Sequence, residues 1–183
     1  MDKTYLDVAA FWRDCFRLAR IVLDSGWTPD VLLTLWRGGA PVGLCVHEFF
    51  VYRQIPVRHE VLSCKSYTGI ATAGALSFAP EADSVLSKIR TGERVLVLDD
   101  VFDSGRTADA VMGRLQTIRA DARFASVYWK PEKNQTTRQP DFYVRKTEEW
   151  IVFPHELQGL TPEEVVQKDP VLAGLLLPKE TPE

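Results

Sequence analysis

Residues Val95 to Thr107 read VLVLDDVFDSGRT, and the fold turns on how this stretch is parsed. Val95 through Leu98 are apolar without alternation, the pattern of a strand covered on both faces of a parallel sheet. Asp99 and Asp100 cannot extend such a strand cheaply. The strand is therefore expected to stop on them and to present both carboxylates at its carboxyl end, where open α/β sheets hold ligands. A polar turn follows, Asp103, Ser104, Gly105, Arg106 and Thr107, and then a helix-like run from Ala108 to Arg119. Small hydroxyl residues and a glycine at a helix amino terminus suit a phosphate, because free N–H groups, hydroxyls and the helix dipole all face the anion. The loop is neither a Walker sequence nor GxGxxG, so it supports neither a nucleoside triphosphatase nor a nicotinamide site. A lone Asp-Asp, or a lone Ser-Gly-Arg-Thr, would be an ordinary βα turn with an acidic cap. Their combination after such a strand favours a functional reading.

A second joint of this kind lies upstream. Val31 to Leu35 reads as another buried strand, and it runs through Trp36, Arg37, Gly38 and Gly39 before Pro41 opens a helix. Arg-Gly-Gly offers a guanidinium and two closely approachable amides, or equally a tight turn needing positive φ.

Composition sets the limits around these joints. A chain of 183 residues suits one domain with a sizeable core and a small appendage. Twenty-two basic against 25 acidic residues, a formal net charge of -3, lack the basic excess of a nucleic-acid binder. Cys15, Cys45 and Cys64 show no CxxC spacing, which argues against a disulfide framework or a zinc site. With scattered charges in MDKTYLDVAAFWRDC and no run long enough to span a bilayer, the expectation is a soluble, unprocessed, cytoplasmic protein.

Elsewhere, Val8, Phe11, Trp12, Cys15, Ala19, Val22 and Leu23 recur at helical spacing up to Ser25-Gly26. Val57 to Leu62 is strand-like, and Ser63 to Phe78 is small and polar, as a loop would be. A short helix over Glu81 to Ile89, a strand over Phe124 to Trp129 and strand residues around Asp141 to Val144 come next. Thr161-Pro162-Glu163-Glu164 starts a helix continuing through Val165 to Leu177, and Pro178 to Glu183 should fray.

The order Asp-Asp, two residues, then Asp-Ser-Gly-Arg-Thr resembles the signature of the type I phosphoribosyltransferases, which bind 5-phosphoribosyl-1-diphosphate (PRPP). The resemblance spans roughly Val31 to Glu156 and implies a parallel sheet flanked by helices, with a small hood from the amino-terminal helix and residues 141–156. It implies one domain over residues 1–160 and a helical extension with a tail over 161–183. By the same resemblance Asp99 and Asp100 hold the ribose hydroxyls, and Ser104, Gly105, Arg106 and Thr107 hold the 5′-phosphate. Arg37, Gly38 and Gly39 become the pyrophosphate loop, which in this family often carries a non-proline cis peptide, here Trp36-Arg37. Ser66 and Tyr67 match the Ser-Tyr pair of the family's closing loop.

The segments KPE, PDFYV and WIVFPHE resemble the xanthine, guanine and hypoxanthine enzymes of the bacterial and archaeal type. That likeness gives Lys130 to the 6-oxo group of a purine, Trp150 to stacking on the ring and the Ile151 backbone to the 2-position. It places Asp103 near N7 as the acid of the chemistry, and Glu156 near the pyrophosphate and Mg²⁺, with Asp99 and Asp100 as further metal ligands. The implied reaction joins N9 of a 6-oxopurine to C1 of PRPP in purine salvage, by a homo-oligomer, dimer or tetramer, without nucleic acid or membrane. A PRPP-binding regulator, or a transferase acting on adenine or orotate, stays open as an alternative.

Overall fold

The computed structural model describes residues 3–66 and 76–176. Its strands are β1 (Lys3–Tyr5), β2 (Val31–Trp36), β3 (Arg58–Ser66), β4 (Leu76–Phe78), β5 (Arg94–Phe102), β6 (Asp121–Trp129), β7 (Phe142–Lys146) and β8 (Trp150–Val152). Its helices are α1 (Val8–Asp24), α2 (Gly39–Tyr52), α3 (Ala82–Leu86), α4 (Arg106–Ile118), α5 (Pro162–Lys168) and α6 (Pro170–Leu176), with a 3-10 turn at Pro131–Lys133. No helix among the described residues is long and apolar enough to cross a membrane. The chain divides into two compact units, residues 8–148 and residues 1–7 with 149–183.

The larger unit is built on a six-stranded sheet in the order β4-β3-β2-β5-β6-β7. All its neighbours are parallel except β3 and β4. A mostly parallel sheet flanked by helices is the expected fold. Alternation along the strands sorts the core. Val31, Leu33, Leu35, Val95 and Val97 pack with Leu86 of α3 and Val111 and Leu115 of α4. The intervening Thr34 turns the other way, against Gly43 of α2. Helix α1 buries Phe11, Cys15, Leu18, Ala19 and Val22, its apolar spacing, and stops where Ser25 bonds back to the Val22 carbonyl and Gly26 takes φ +77°.

The sheet's connections reverse direction between β2 and β5. From β2 the chain leads through α2 to β3 on one side; from β5 it leads through α4 to β6 on the other. Such a reversal opens a crevice at the carboxyl ends of the two strands. Both joints singled out above lie there.

Two expectations for this unit need correcting. First, β5 does not stop on the acid pair but runs through it to Phe102. Its pairing with β2 ends at Thr34 opposite Leu98, whereas its pairing with β6 continues to Phe102 opposite Trp129. The carboxylates thus sit on a strand with a hydrogen-bonded neighbour on one side only, which is why a strand tolerates them. Second, the ends of the supposed loop Ser63 to Phe78 are strand: Cys64 pairs with Phe78 and Ser66 with Leu76. Tyr67 and residues 68–75 lie outside the described residues.

In the smaller unit β1 and β8 pair in parallel, with Lys3 opposite Trp150 and Tyr5 opposite Val152. Lys3 bonds Glu164 and Thr4 bonds Glu149, each at 2.5 Å. Thr161 and Glu164 form a reciprocal capping box at the start of α5. The single helix expected past Val165 is two, because Pro170 cannot continue α5 and Asp169 caps the next turn, accepting from Val171 and Leu172 at 2.8 and 3.0 Å.

Candidate active site

The β5–α4 joint forms the floor of a cleft of about 370 Å³ lined by Asp99, Asp100, Asp103, Ser104, Gly105 and Thr107 among others. Asp100 is 8% exposed, and its carboxylate accepts from the Val101 N–H at 2.7 Å, while Asp99 accepts from the Asp100 N–H at 3.0 Å. Burial, and after it the charge of Asp100, pushes the Asp99 carboxyl well above the usual carboxylate range. Two adjacent acids in one low-dielectric crevice call for hydrogen-bond donors or a cation between them. Burial first, and then the charge of Asp99, lifts the Cys64 thiol to about 11.

Helix α4 begins without a side-chain cap. Its N-cap is Gly105, at φ +78°, and no side chain satisfies the first-turn N–H groups there. The cap that Asp103 was free to provide is not made. Its carboxylate instead accepts from the Lys130 ammonium at 3.2 Å, with Lys130 buried and Asp103 half exposed. Unsatisfied amides at a helix start, beside Ser104 and Thr107 hydroxyls, form an anion cradle.

The β2–α2 joint meets the same acids. A Cβ on Gly38 would lie 2.6 Å from Asp100 Oδ2, and one on Gly39 would run into the Leu98 carbonyl oxygen. Neither glycine has positive φ, so what they supply is room for the joint to seat on β5 and not a left-handed turn. The peptide between Trp36 and Arg37 is cis, as the resemblance implied.

The sequence model of the phosphoribosyl transferase domain matches residues 2–158. The chain belongs to this family. A xanthine-guanine phosphoribosyltransferase of Ruegeria sp. (strain TM1040) is 30% identical over 141 residues, 73% of this chain and 71% of that one. Another, from Cereibacter sphaeroides (strain ATCC 17025 / ATH 2.4.3), is 30% identical over 128 residues, 67% and 70% of the two chains. Among solved structures, a purine phosphoribosyltransferase from Pyrococcus horikoshii Ot3 matches with a TM-score of 0.69 at 28% identity, covering 88% of this chain and 98% of that one.

The structure of this phosphoribosyltransferase brings together about half of the residues its sequence singles out. Asp99, Asp100, Asp103, Ser104, Gly105 and Thr107 share one cleft, with Lys130 reaching it through Asp103 and Gly38 through Asp100. Arg106, the first residue of α4, is exposed and does not line the cleft. Arg37 is exposed at the end of β2, and Ser66 ends β3. Trp150, Ile151 and Glu156 belong to the smaller unit. There Trp150 is 49% exposed, which excludes a core tryptophan, Ile151 is 6% exposed, and the backbone carbonyl of Glu156 accepts from Lys168 at 2.5 Å. Among the described residues, no group of three or more His, Cys, Asp or Glu side chains converges as a metal site.

One part of the site went unread in the sequence. The segment Asn134 to Arg138, after the 3-10 turn, lies against the β5–α4 joint: the Gln135 N–H donates to the Ser104 carbonyl at 2.9 Å. Asn-x-Thr, in which the Asn side chain bonds its own backbone two residues on, was the available signal.

Proposed function

We propose that this phosphoribosyltransferase transfers the 5-phosphoribosyl group of PRPP to N9 of a 6-oxopurine, guanine, xanthine or hypoxanthine. The products are the nucleoside 5′-monophosphate and pyrophosphate, as purine salvage in the cytoplasm requires. The observation that carries this reading is the Lys130–Asp103 pair, 3.2 Å apart at the edge of the acid-and-phosphate cleft. An ammonium only donates hydrogen bonds, and a half-exposed carboxylate accepts or exchanges a proton, so the pair suits O6 and N7 of one purine edge. The names of the relatives from Ruegeria and Cereibacter support the same substrate class.

Under this proposal the uncapped start of α4, with Ser104, Gly105, Arg106 and Thr107, takes the 5′-phosphate. Asp99 and Asp100 accept hydrogen bonds from the ribose hydroxyls. Arg37 and the amides of Gly38 and Gly39 hold the diphosphate as negative charge grows on it. Trp150 stacks on the base, Ile151 contributes its backbone at the 2-position, and Ser66, at the end of β3, forms with Tyr67 the Ser-Tyr pair that the family resemblance implies. The proton at N7 passes to or from Asp103 while Lys130 holds O6. The close, partly buried acids Asp99 and Asp100 fit a divalent cation, since a positive charge offsets the burial and the repulsion that lift Asp99; the family resemblance adds Glu156 to the proposed set. Mg²⁺ bound there would neutralise charge on the departing diphosphate. We also propose a homo-oligomer, supported by the exposed apolar side chains Leu44 and Val51 on α2 and Val61 on β3.

The test is to incubate the protein with PRPP, Mg²⁺ and guanine, hypoxanthine, xanthine, adenine or orotate in turn, and to assay each nucleotide. Nucleotides of the 6-oxopurines are expected. Turnover of adenine or orotate alone, or of no base, would overturn the assignment. Lys130→Met should lower kcat/KM for 6-oxopurines far more than for any residual use of adenine, because the wrong edge leaves a buried donor unpaired. An equal loss on every base would remove Lys130 from the 6-position.

A further inference from the structure

The phosphate cradle has to leave its own amides free for the ligand, so something else must hold it in shape. Within the larger unit that role falls to the connection between β6 and β7. The Gln135 N–H fixes the Ser104 carbonyl at 2.9 Å, directly before the glycine whose positive φ turns the chain into α4. Gly105 itself is wedged. A Cβ built on it would lie 2.5 Å from Asn134 Oδ1 and Thr136 Oγ1, and 3.0 Å from the Phe102 ring. The Asn134 side chain is oriented at both ends: its oxygen accepts from the Thr136 N–H and hydroxyl, each at 3.0 Å, and its nitrogen donates to the Arg138 carbonyl at 2.7 Å. Arg138 then reaches forward to Asp109, in the first turn of α4, at 3.0 Å. Asn134, Gln135, Thr136 and Arg138 thereby grip the loop before the glycine, the glycine, and the helix after it. The Arg138–Asp109 pair also offsets a carboxylate that would otherwise oppose a phosphate at this helix start.

We infer that Asn134 is a positioning residue for the 5′-phosphate of PRPP. It never touches the ligand; it fixes the 134–138 turn whose contacts set the geometry of Ser104 and Gly105. The inference rests on reading Ser104 to Thr107 as the phosphate cradle, and it adds a determinant that lies outside that motif. Because the amides of a preformed cradle are worth most when aligned, loosening the turn should weaken PRPP binding while sparing the base.

The experiment compares Asn134→Ala, Asn134→Asp and Thr107→Val with wild type, measuring KM for PRPP, KM for the base, kcat, thermal midpoint, and calorimetric binding of ribose 5-phosphate. Asn134→Ala should raise the KM for PRPP roughly ten-fold or more and weaken ribose 5-phosphate in parallel, with the KM for the base unchanged. Asn134→Asp keeps the acceptor for Thr136 but brings a negative charge against Gly105, so it should be worse than Ala for PRPP. A Thr107→Val variant weak for PRPP beside a wild-type-like Asn134→Ala would overturn the positioning role and leave the cradle standing. Wild-type-like PRPP binding in both would overturn the cradle, and this inference with it. Equal losses for PRPP and base, tracking a lower thermal midpoint, would make Asn134 merely structural and likewise overturn the inference.

Discussion

The β2–α2 and β5–α4 joints share a description, a buried strand leading through a glycine-bearing turn into a helix at the same crevice, yet their glycines answer different demands. Gly38 and Gly39 have ordinary right-handed φ and are there for space, pressed on the Asp100 carboxylate and the Leu98 carbonyl. Gly105 is there for conformation, at φ +78°, and for space as well. One joint is shaped by what it rests on; the other is shaped by its own backbone and then braced from outside. A glycine in a motif thus says nothing about its purpose until its φ and its neighbours are known.

The sharpest way to break this comparison is to remove the carboxylates both joints depend on. Asp99→Asn with Asp100→Asn should abolish nucleotide formation while the fold persists, because the change relieves repulsion and opens no cavity. Turnover near wild type in the folded double variant would detach the acids from ribose. Asp103→Asn keeps the size of the side chain but cannot exchange a proton, and kcat should fall roughly a hundred-fold. A kcat that stays level would leave Asp103 as no more than the partner of Lys130.

The glycines themselves come next. Gly105→Ala should lower stability by about 2 kcal/mol, since alanine is strained at positive φ and its methyl meets Asn134, Thr136 and Phe102. It should also raise the KM for PRPP. Gly39→Ala should lower stability by about 1 to 3 kcal/mol purely by collision with the β5 backbone. Denaturant melts separate the two: trimming the neighbours of Gly105 should recover only part of the loss in Gly105→Ala, because the strain of its positive φ remains.

The smallest effect serves as a control outside both joints. Asp14 on α1 is 2% exposed, and although burial alone would raise its carboxyl, the Arg145 and Arg17 guanidinium groups hold it below its ordinary 3.8. A depressed folded value stabilises above the unfolded value and fades as pH falls through the folded one. Asp14→Asn should therefore cost about 1 kcal/mol at neutral pH, discounted because both arginines are half exposed, and the deficit should shrink below pH 3.8 with kcat unchanged. A deficit that persists undiminished in acid would mean the ion pair is not its source.

What the sequence made legible follows from how local each signal is. The runs Val31 to Leu35 and Val95 to Leu98 are local, so both buried strands and the joints after them could be read directly. Lys130 could be expected at the same edge as Asp99, because it follows a strand of the same parallel sheet; its partnership with Asp103 follows from the pairing of Phe102 with Trp129. Strand length could not be read, because β5 outruns β2 through a register that only pairing reveals. Nor could β1, whose three residues are too few for any period. The 134–138 turn is polar and reads as ordinary loop until the Ser104 carbonyl is placed beside it.

The pairing of β1 with β8 carries a consequence for how the protein comes to be folded. Residues 8–148 are contiguous, so as the chain leaves the ribosome the larger unit has all its strands before residue 150 appears. Lys3 to Tyr5 must wait, because their partner strand begins only at Trp150 and the bond from Thr4 reaches Glu149, 145 positions downstream. Closing so long a loop for so few contacts is a late, entropically costly event. Lys3 to Tyr5 are thus synthesised before the larger unit and find their place after it.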